Sequence, residues 1–474
     1  MMLLSQAAQA LNGRLVGTDV RFDAVSTDSR KLKAGDLFVA LRGEHFDGYA
    51  FVAQGAQSGA VAAVVNADSY HGEALDCPLL LVPDTRLALG QLAAYWRKQF
   101  WATPLVAITG SNGKTTVKEM LASILRAAAG SDDAVLATQG NLNNDIGMPL
   151  TLLQLKAQHR YAVLEMGMNH PGEIDYLTHI ACPDVALVNN ASGAHLEGLG
   201  SVEAVARAKG EIFAGLKHGG TALINADDAF ASLWRGMTDA NQLLEFGLDQ
   251  EADISGQWQP QGTGLHLDAQ TPLGSFSAEL QVPGAHNARN ALAATAAAIG
   301  LNVPLETIVA GLEKFSGVAG RLQRKTARNG ATVIDDTYNA NPASMRAAIS
   351  VLAQATGTRV FVLGDMGELG ADAASFHAEI GAEARQAGIE RLYALGDLSR
   401  QATQAFGDAA QHFNNIEMLL RALEQELDAN CTVLVKGSRF MKMERVVQHL
   451  VSGEWQGTGG ARNAASVPAT PRSS

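Results

Sequence analysis

The stretch that most limits what this chain can fold into is Thr109-Gly110-Ser111-Asn112-Gly113-Lys114-Thr115-Thr116. It follows the apolar run from Leu105 to Ile108 and leads into Val117 to Leu125, whose apolar positions recur at helical spacing. Strand, glycine turn and helix in that order make a phosphate loop. Two glycines let successive backbone N–H groups approach phosphate oxygens, and the new helix aims its positive end at the same point. Lys114 is placed to neutralise terminal phosphates, and the Thr115 hydroxyl to reach a magnesium ion. The usual loop has a glycine where this chain has Ile108, so the match is to a shorter Gly-x-x-Gly-Lys-Thr-Thr form. The alternative is a tight turn with a solvated lysine. A phosphate loop demands a parallel α/β sheet behind it and points to a nucleotide, without naming a reaction.

A length of 474 residues predicts roughly three domains at about 150 residues each. The net charge of −12 and the absence of a Lys/Arg cluster argue against a nucleic-acid partner, so anionic ligands must be held by local sites. Cys77, Cys182 and Cys431 have no paired spacing, which argues against a zinc site or a disulfide framework and leaves them as small buried residues. The start, Met1 to Leu11, lacks a basic segment and reads as an ordinary first helix. No run reaches the ~18 apolar residues of a membrane span. The expectation is a cytoplasmic protein without membrane insertion.

Read in order, residues 1–102 form a small α/β domain with strands near Asp36–Leu41 and Ala60–Val65 and a closing amphipathic helix that ends at Tyr95-Trp96-Arg97-Lys98. Residues 103–316 form a central domain with further strands near 134–138, 161–167, 184–189 and 221–227, the alternation of a mostly parallel sheet covered on both faces. Alternating pieces between Asn241 and Pro283 suggest an antiparallel extension of that sheet. Residues 317–452 contain four more strands, near 331–336, 359–365, 391–397 and 432–438, which give a doubly wound, Rossmann-like domain. Residues 453–474, rich in Gly, Ser, Pro and Ala, read as a disordered tail.

Ligands of parallel sheets collect at the carboxyl ends of the strands. Asn141 to Pro149 leaves one such end with a cluster of amides. Glu165 terminates another after four mostly apolar residues, where a carboxylate must be paired or bound to metal. His195 lies just past a third and alone would be a loop histidine. Lys209 falls in a helix, and its default reading is a solvated surface lysine. Asn287 and Asn290 share a helix face and either read a base or ribose edge or cap the helix. In the first domain, Ser26 to Arg30 and Gly43 to Tyr49 are polar constellations that are either capped turns or a sugar-nucleotide grip.

Taken together, Ser26 to Arg30, Asp36 to Phe51, Thr109 to Thr116 with Lys118-Glu119, Asn141 to Leu153, Glu165-Met166-Gly167, His195, Lys209 to Ile212, His286 to Asn290, Asp335 to Pro342, Leu363 to Gly370 and Lys436-Gly437-Ser438 resemble the Mur ligases of bacterial cell-wall synthesis. The resemblance covers about residues 14–450 and is strongest to members that add D-alanyl-D-alanine to UDP-N-acetylmuramoyl-tripeptide. The sibling that adds a diamino acid carries an Asp-Asn-Pro-Arg motif. This chain has Leu363-Gly364-Asp365-Met366-Gly367-Glu368-Leu369-Gly370 instead. The resemblance implies ATP held by Gly110, Ser111, Asn112, Gly113, Lys114, Thr115 and Thr116, with Asn287 and Asn290 at the adenine and Asp336, Tyr338 and Asn339 meeting the nucleotide from the last domain. It implies magnesium at Thr115, Glu165 and His195, a carbamylated Lys209 as a further ligand, and the UDP part of the substrate at Ser29, Arg30 and Asp47. It also implies a monomer. The sibling reaction, or a regulatory ATP-binding protein without ligase chemistry, remain the alternatives.

Overall fold

The computed structural model describes residues 1–193, 196–239 and 242–453. The chain divides into two compact units: residues 1–318 with 341–347 and 367–373, and residues 319–340, 348–366 and 374 onward.

The first unit begins with a short helix, Leu4–Ala10, and a five-stranded sheet. Its strands are Arg14–Val16 (β1), Ala24–Ser26 (β2), Asp36–Val39 (β3), Ala60–Asn66 (β4) and Leu79–Val82 (β5), in the order β1-β5-β4-β3-β2. Only the β1 edge is antiparallel. β3 and β5 are buried along their whole length, as expected of short apolar strands covered on both faces. Helix α1, Thr85–Gln99, starts where the Asp84 carboxylate accepts the Arg86 and Leu87 N–H groups and ends with Arg97 and Lys98 complementing its carbonyl end.

Helix α1 fastens this layer to the next. Gly90 sits where a Cβ would lie 2.0 Å from the Tyr176 hydroxyl oxygen, so only glycine lets the helix reach the neighbouring helix Glu173–Ala181. Trp96 Nε1 donates to the Leu155 carbonyl at 3.1 Å. Arg97 is buried and donates to the carbonyls of Ala181 (2.9 Å), Thr103 (3.0 Å) and Phe100 while pairing with Asp184. One apolar cluster runs from Leu4 and Phe22 through Leu89 and Leu92 to Leu164 and Trp234, so the two layers share a core.

The second layer is a nine-stranded sheet. In chain order its strands are Leu105–Thr109 (β6), Val135–Ala137 (β7), Tyr161–Glu165 (β8), Val185–Val188 (β9), Thr221–Asn225 (β10), Gln242–Gly247 (β11), Ile254–Gln261 (β12), Gly264–Thr271 (β13) and Gly274–Leu280 (β14). Their spatial order is β7-β8-β6-β9-β10-β11-β12-β13-β14. Pairing is parallel from β7 to β12 and antiparallel from β12 to β14. The antiparallel extension therefore starts one strand later than its composition suggested. β11 is polar at Gln242 and Glu245 yet pairs in parallel on both sides, with its Phe246 buried in the core. A second apolar cluster covers the opposite face, where helices Lys114–Ala129 (α2), Ala285–Gly300 (α4) and Leu305–Lys314 (α5) pack; helix Val202–Gly210 (α3) belongs to the first face.

The second unit is built on a six-stranded sheet of Gln323–Thr326 (β15), Thr332–Asp336 (β16), Thr358–Gly364 (β17), Arg391–Leu395 (β18), Ala410–Phe413 (β19) and Cys431–Lys436 (β20). The order is β15-β16-β20-β17-β18-β19, antiparallel only at β15. The four strands expected from sequence are its buried centre. The two it lacked, β15 and β19, are the edges, where polar residues such as half-buried Gln323 and exposed Gln411 hide the strand pattern. Residue 241, His195 and the expected tail beyond Gly453 lie outside the described residues. Among the described residues no helix is long and apolar enough to cross a membrane.

Candidate active site

Strand β6 ends at Thr109, whose hydroxyl donates to the Met166 carbonyl at 2.9 Å and so ties it to the end of β8. The glycine turn then has two demands that only glycine meets. Gly113 has φ +79°, and a Cβ there would stand 2.4 Å from Asn290 Oδ1 and 2.5 Å from Asn189 Nδ2. Gly110, at φ +156°, passes Asn189, whose Cβ would be 3.0 Å from an added one. Lys114 Nζ donates to the Gly110 carbonyl at 2.6 Å, so its charge is folded back over the turn. The loop N–H groups of Ser111 and Asn112 donate to Asn190, at 2.9 Å to its carbonyl and 2.8 Å to its Oδ1. The Ser111 and Asn112 N–H groups are thus taken up inside the protein, and α2 begins directly after the turn at Lys114.

Beside this turn, Thr115 Oγ1 donates to Glu165 Oε2 at 2.9 Å, and Asn143 Nδ2 donates to the other oxygen at 2.8 Å. The Glu165 N–H donates to Thr138 Oγ1 at 2.9 Å, and buried Lys118 donates to the Thr138 carbonyl at 2.7 Å while pairing with Glu119. Glu165 is 2% exposed, and the Thr115 hydroxyl and Asn143 amide, one donor to each carboxylate oxygen, are what make an anionic end to β8 tolerable. From the sequence, Glu165 was given a role, Lys118 was named only as part of the family resemblance, and Thr138 was given none. Their signal was present in Val117-Lys118-Glu119, where a lysine interrupts the apolar face of α2.

Lys209 is not a solvated surface lysine: it is 1% exposed, on the inward face of α3. Four neighbouring features put it there. Ser201 caps the helix, accepting from the Ala204 N–H at 3.1 Å, and Val205 and Ala206 face the core. Gly210 clears Met237 and Trp234, with a would-be Cβ 2.6 Å from the Met237 sulfur. Glu211 then reaches across to accept the N–H groups of Gly172 (2.9 Å) and Asp175 (3.2 Å) at the start of helix Glu173–Ala181. Burial holds the Lys209 amine well below its ordinary pKa, the nearby Lys114 charge lowers it further, and Glu165 partly opposes both. Among the described residues no carboxylate stands within ion-pair distance of it.

Asn287 and Asn290 are both buried on the first turns of α4. Asn290 Oδ1 accepts from Asn189 Nδ2 at 3.2 Å and Asn287 Nδ2 donates to the Pro283 carbonyl at 2.8 Å. The loop, Glu165, Lys209 and this pair thus converge at the carboxyl edge of one sheet. The first-domain residues stand in separate contacts. Arg30 is exposed and grips Asp28 with two hydrogen bonds of 2.9 and 3.0 Å, which hold the Asp28 carboxyl down at about 2. Ser29 is half-buried. Asp47 caps a turn, accepting from the Tyr49 N–H and Ser69 hydroxyl at 2.8 and 2.7 Å. In the second unit, Asp336 ends β16 in an ion pair with Lys436 at 2.6 Å; Lys436 also donates to the Asn339 carbonyl at 2.9 Å. The Arg321 guanidinium lies 4.2 Å over the Tyr338 ring. Cys77 and Cys431 are buried, while Cys182 is half-buried.

A parallel sheet that carries a phosphate loop, a buried carboxylate and a buried amine at one edge, in a chain with a second doubly wound unit, marks a nucleotide-dependent enzyme. Family models agree over most of the chain: the Mur ligase catalytic domain matches residues 21–97, the Mur ligase middle domain residues 108–298, and the Mur ligase glutamate ligase domain residues 320–439. The chain belongs to the Mur ligase family, ATP-dependent enzymes that form peptide bonds. Within it, the UDP-N-acetylmuramoyl-tripeptide–D-alanyl-D-alanine ligase of Escherichia coli K12 is 44% identical over 460 residues, which cover 94% of this chain and 98% of that one. The crystal structure of MurF from Acinetobacter baumannii superposes with a TM-score of 0.87 at 38% identity, covering 94% of this chain and 98% of that one. The MurF ligase of Thermotoga maritima, solved in complex with ADP, matches at a TM-score of 0.79 and 26% identity over 90% and 96% of the two chains.

Proposed function

We propose that the enzyme joins D-alanyl-D-alanine to UDP-N-acetylmuramoyl-tripeptide, with ATP as the driving reactant and an acyl phosphate as the intermediate. The observation that carries this reading is the buried pair Glu165 and Lys209 behind the phosphate loop, in a chain 44% identical along nearly the full length of a ligase named for that reaction. In this reading residues 1–102 hold the UDP part through Ser29, Arg30 and Asp47, residues 103–316 hold ATP, and residues 317–452 bring Asp336, Tyr338 and Asn339 to the nucleotide. The reading includes a monomer in the cytoplasm.

A carboxylate is a poor electrophile and repels the triphosphate. Lys114 offsets charge at the γ-phosphate and the first-turn N–H groups of α2 fix its oxygens, so the substrate carboxylate meets phosphorus in line. One carboxylate oxygen bonds to phosphorus and ADP leaves. The dipeptide amine then attacks the acyl carbon, loses a proton, and phosphate departs with that same oxygen. Closure of the outer domains keeps water from the acyl phosphate.

Magnesium fits the donors present. Among the described residues there is no cluster of three His, Cys, Asp or Glu side chains, and magnesium is ordinarily held by one or two carboxylates together with phosphates and water. Thr115 Oγ1 and Glu165 Oε2 are neighbours at 2.9 Å, two hard oxygens of that kind; His195 and Lys209 complete the proposed set. Bound there, the ion supplies charge neutralisation at the transferring phosphoryl group. Lys209 suits carbamylation because burial and the neighbouring Lys114 charge both weaken its hold on a proton: Nζ bonds to the carbon of CO2, a proton leaves, and the resulting anion is attracted to Lys114.

The test is ATP-dependent phosphate release with UDP-N-acetylmuramoyl-tripeptide, with D-alanyl-D-alanine, diaminopimelate and glutamate compared as acceptors. Turnover only with the dipeptide is the expected result. Turnover with diaminopimelate on the shorter precursor would transfer the enzyme to its sibling's reaction, and nucleotide binding without any release would favour a regulatory protein.

A further inference from the structure

Two asparagines that the chemistry above does not use stand under the phosphate loop. Asn189 and Asn190 leave the carboxyl end of β9 side by side, and both Nδ2 groups donate to the Asn112 carbonyl, at 2.9 and 3.0 Å. Asn190 closes a second bond by accepting the Asn112 N–H at 2.8 Å, so it pairs with that peptide as a neighbouring strand would. Asn189 is 2% exposed and does something different. The second hydrogen of its Nδ2 goes to Asn290 Oδ1 at 3.2 Å, and Asn290 Nδ2 donates to Asn287 Oδ1 at 3.3 Å. Its carbonyl is held in turn by Asn225 Nδ2 at 2.8 Å. The same side chain occupies space that the loop glycines leave open, its Cβ beside Gly110 and its Nδ2, with Asn290 Oδ1, beside Gly113.

We infer that Asn189 is a positioning residue that joins the phosphate loop and the start of α4 into one receptor, so that both ends of the nucleotide are held in register. The inference rests on the proposal that phosphates lie at the loop and adenosine at Asn287 and Asn290. Every amide in the relay has its orientation set by the next: Asn190 Oδ1 must face the Asn112 N–H, and Asn290 must turn its oxygen to Asn189 to keep its own donor on Asn287. An aspartate at 189 keeps the size but can donate nothing. It would set an oxygen against both the Asn112 carbonyl and Asn290 Oδ1.

A defect confined to the linkage weakens ligands that span both ends and spares those that touch one, since only a spanning ligand gains from two pre-aligned sites. The experiment compares ADP with inorganic tripolyphosphate on the full-length wild type, Asn189→Asp and Asn189→Thr, by titration calorimetry with the same magnesium present. Asn189→Asp is expected to weaken ADP tenfold or more while tripolyphosphate changes less than twofold. Asn189→Thr, whose hydroxyl can serve one partner at a time, is expected to fall between. Equal loss of both ligands would mean that the loop itself was damaged, and no loss of ADP would mean that the relay carries nothing; either overturns the inference. Failure of the wild type to bind either ligand would instead overturn the underlying nucleotide site. If Asn189→Asp does not fold, the ratio measured on Asn189→Thr decides.

Discussion

Lys209 carries a cost that its surroundings relieve only in part, through Glu165. Its amine is buried beside Lys114, and its proton affinity is depressed in the folded chain while it is ordinary in the unfolded one. Between the two values the unfolded state binds more protons, so this residue's contribution makes stability rise with pH up to the ordinary lysine range. Replacing it with an apolar side chain of similar length should therefore stabilise the protein by on the order of 1–4 kcal/mol in bicarbonate-free buffer. Urea unfolding of Lys209→Met checks this; a less stable variant would show that the amine is well paired. The same substitution should abolish ligation, and Lys209→Ala should regain part of its activity with short carboxylic acids if a carbamate is the working form. Lys114→Ala should stop ADP formation with binding of the UDP substrate nearly unchanged, measured by calorimetry.

At the level of elements, much of the fold was legible because the buried strands are short apolar runs ending in polar residues, as at Val163-Leu164-Glu165. Edge strands such as β15 and β19 were not legible, since half-exposed strands lose that contrast. The loop glycines were legible as a pattern, but the reason for Gly113 was not. It lies in Asn189 and Asn290, far apart in sequence and brought together by β9 and α4. The helix pattern alone gave Lys209 a surface position, because such a pattern does not reveal that the second face of the helix meets Trp234 and Met237. Helix α1 offers a prediction of its own. Arg97→Ala should cost about 3–5 kcal/mol by removing a buried cation from three carbonyls and Asp184. Because the two layers share a core, the loss should appear as one cooperative transition across residues 1–318 in hydrogen exchange. Independent opening of residues 1–102 would contradict it.

For the whole molecule, the chain first passes from one unit to the other at 318 and 319, between Gly317 and Gly320, which have φ values of +99° and +71°, and crosses again at 340/341, 347/348, 366/367 and 373/374. Such residues absorb large backbone changes, and we predict rotation of the second unit when ATP analogue and UDP substrate bind together. Small-angle scattering profiles that superpose with and without both ligands would remove support for it. In the proposed chemistry the substrate carboxylate attacks phosphorus before the amine attacks carbon. Tripeptide substrate labelled with heavy oxygen in its terminal carboxylate, turned over with ATP and D-alanyl-D-alanine, tests this by mass spectrometry of the released phosphate. Transfer of a single labelled oxygen into each phosphate is the predicted result, and unlabelled phosphate formed alongside the new peptide bond would contradict it.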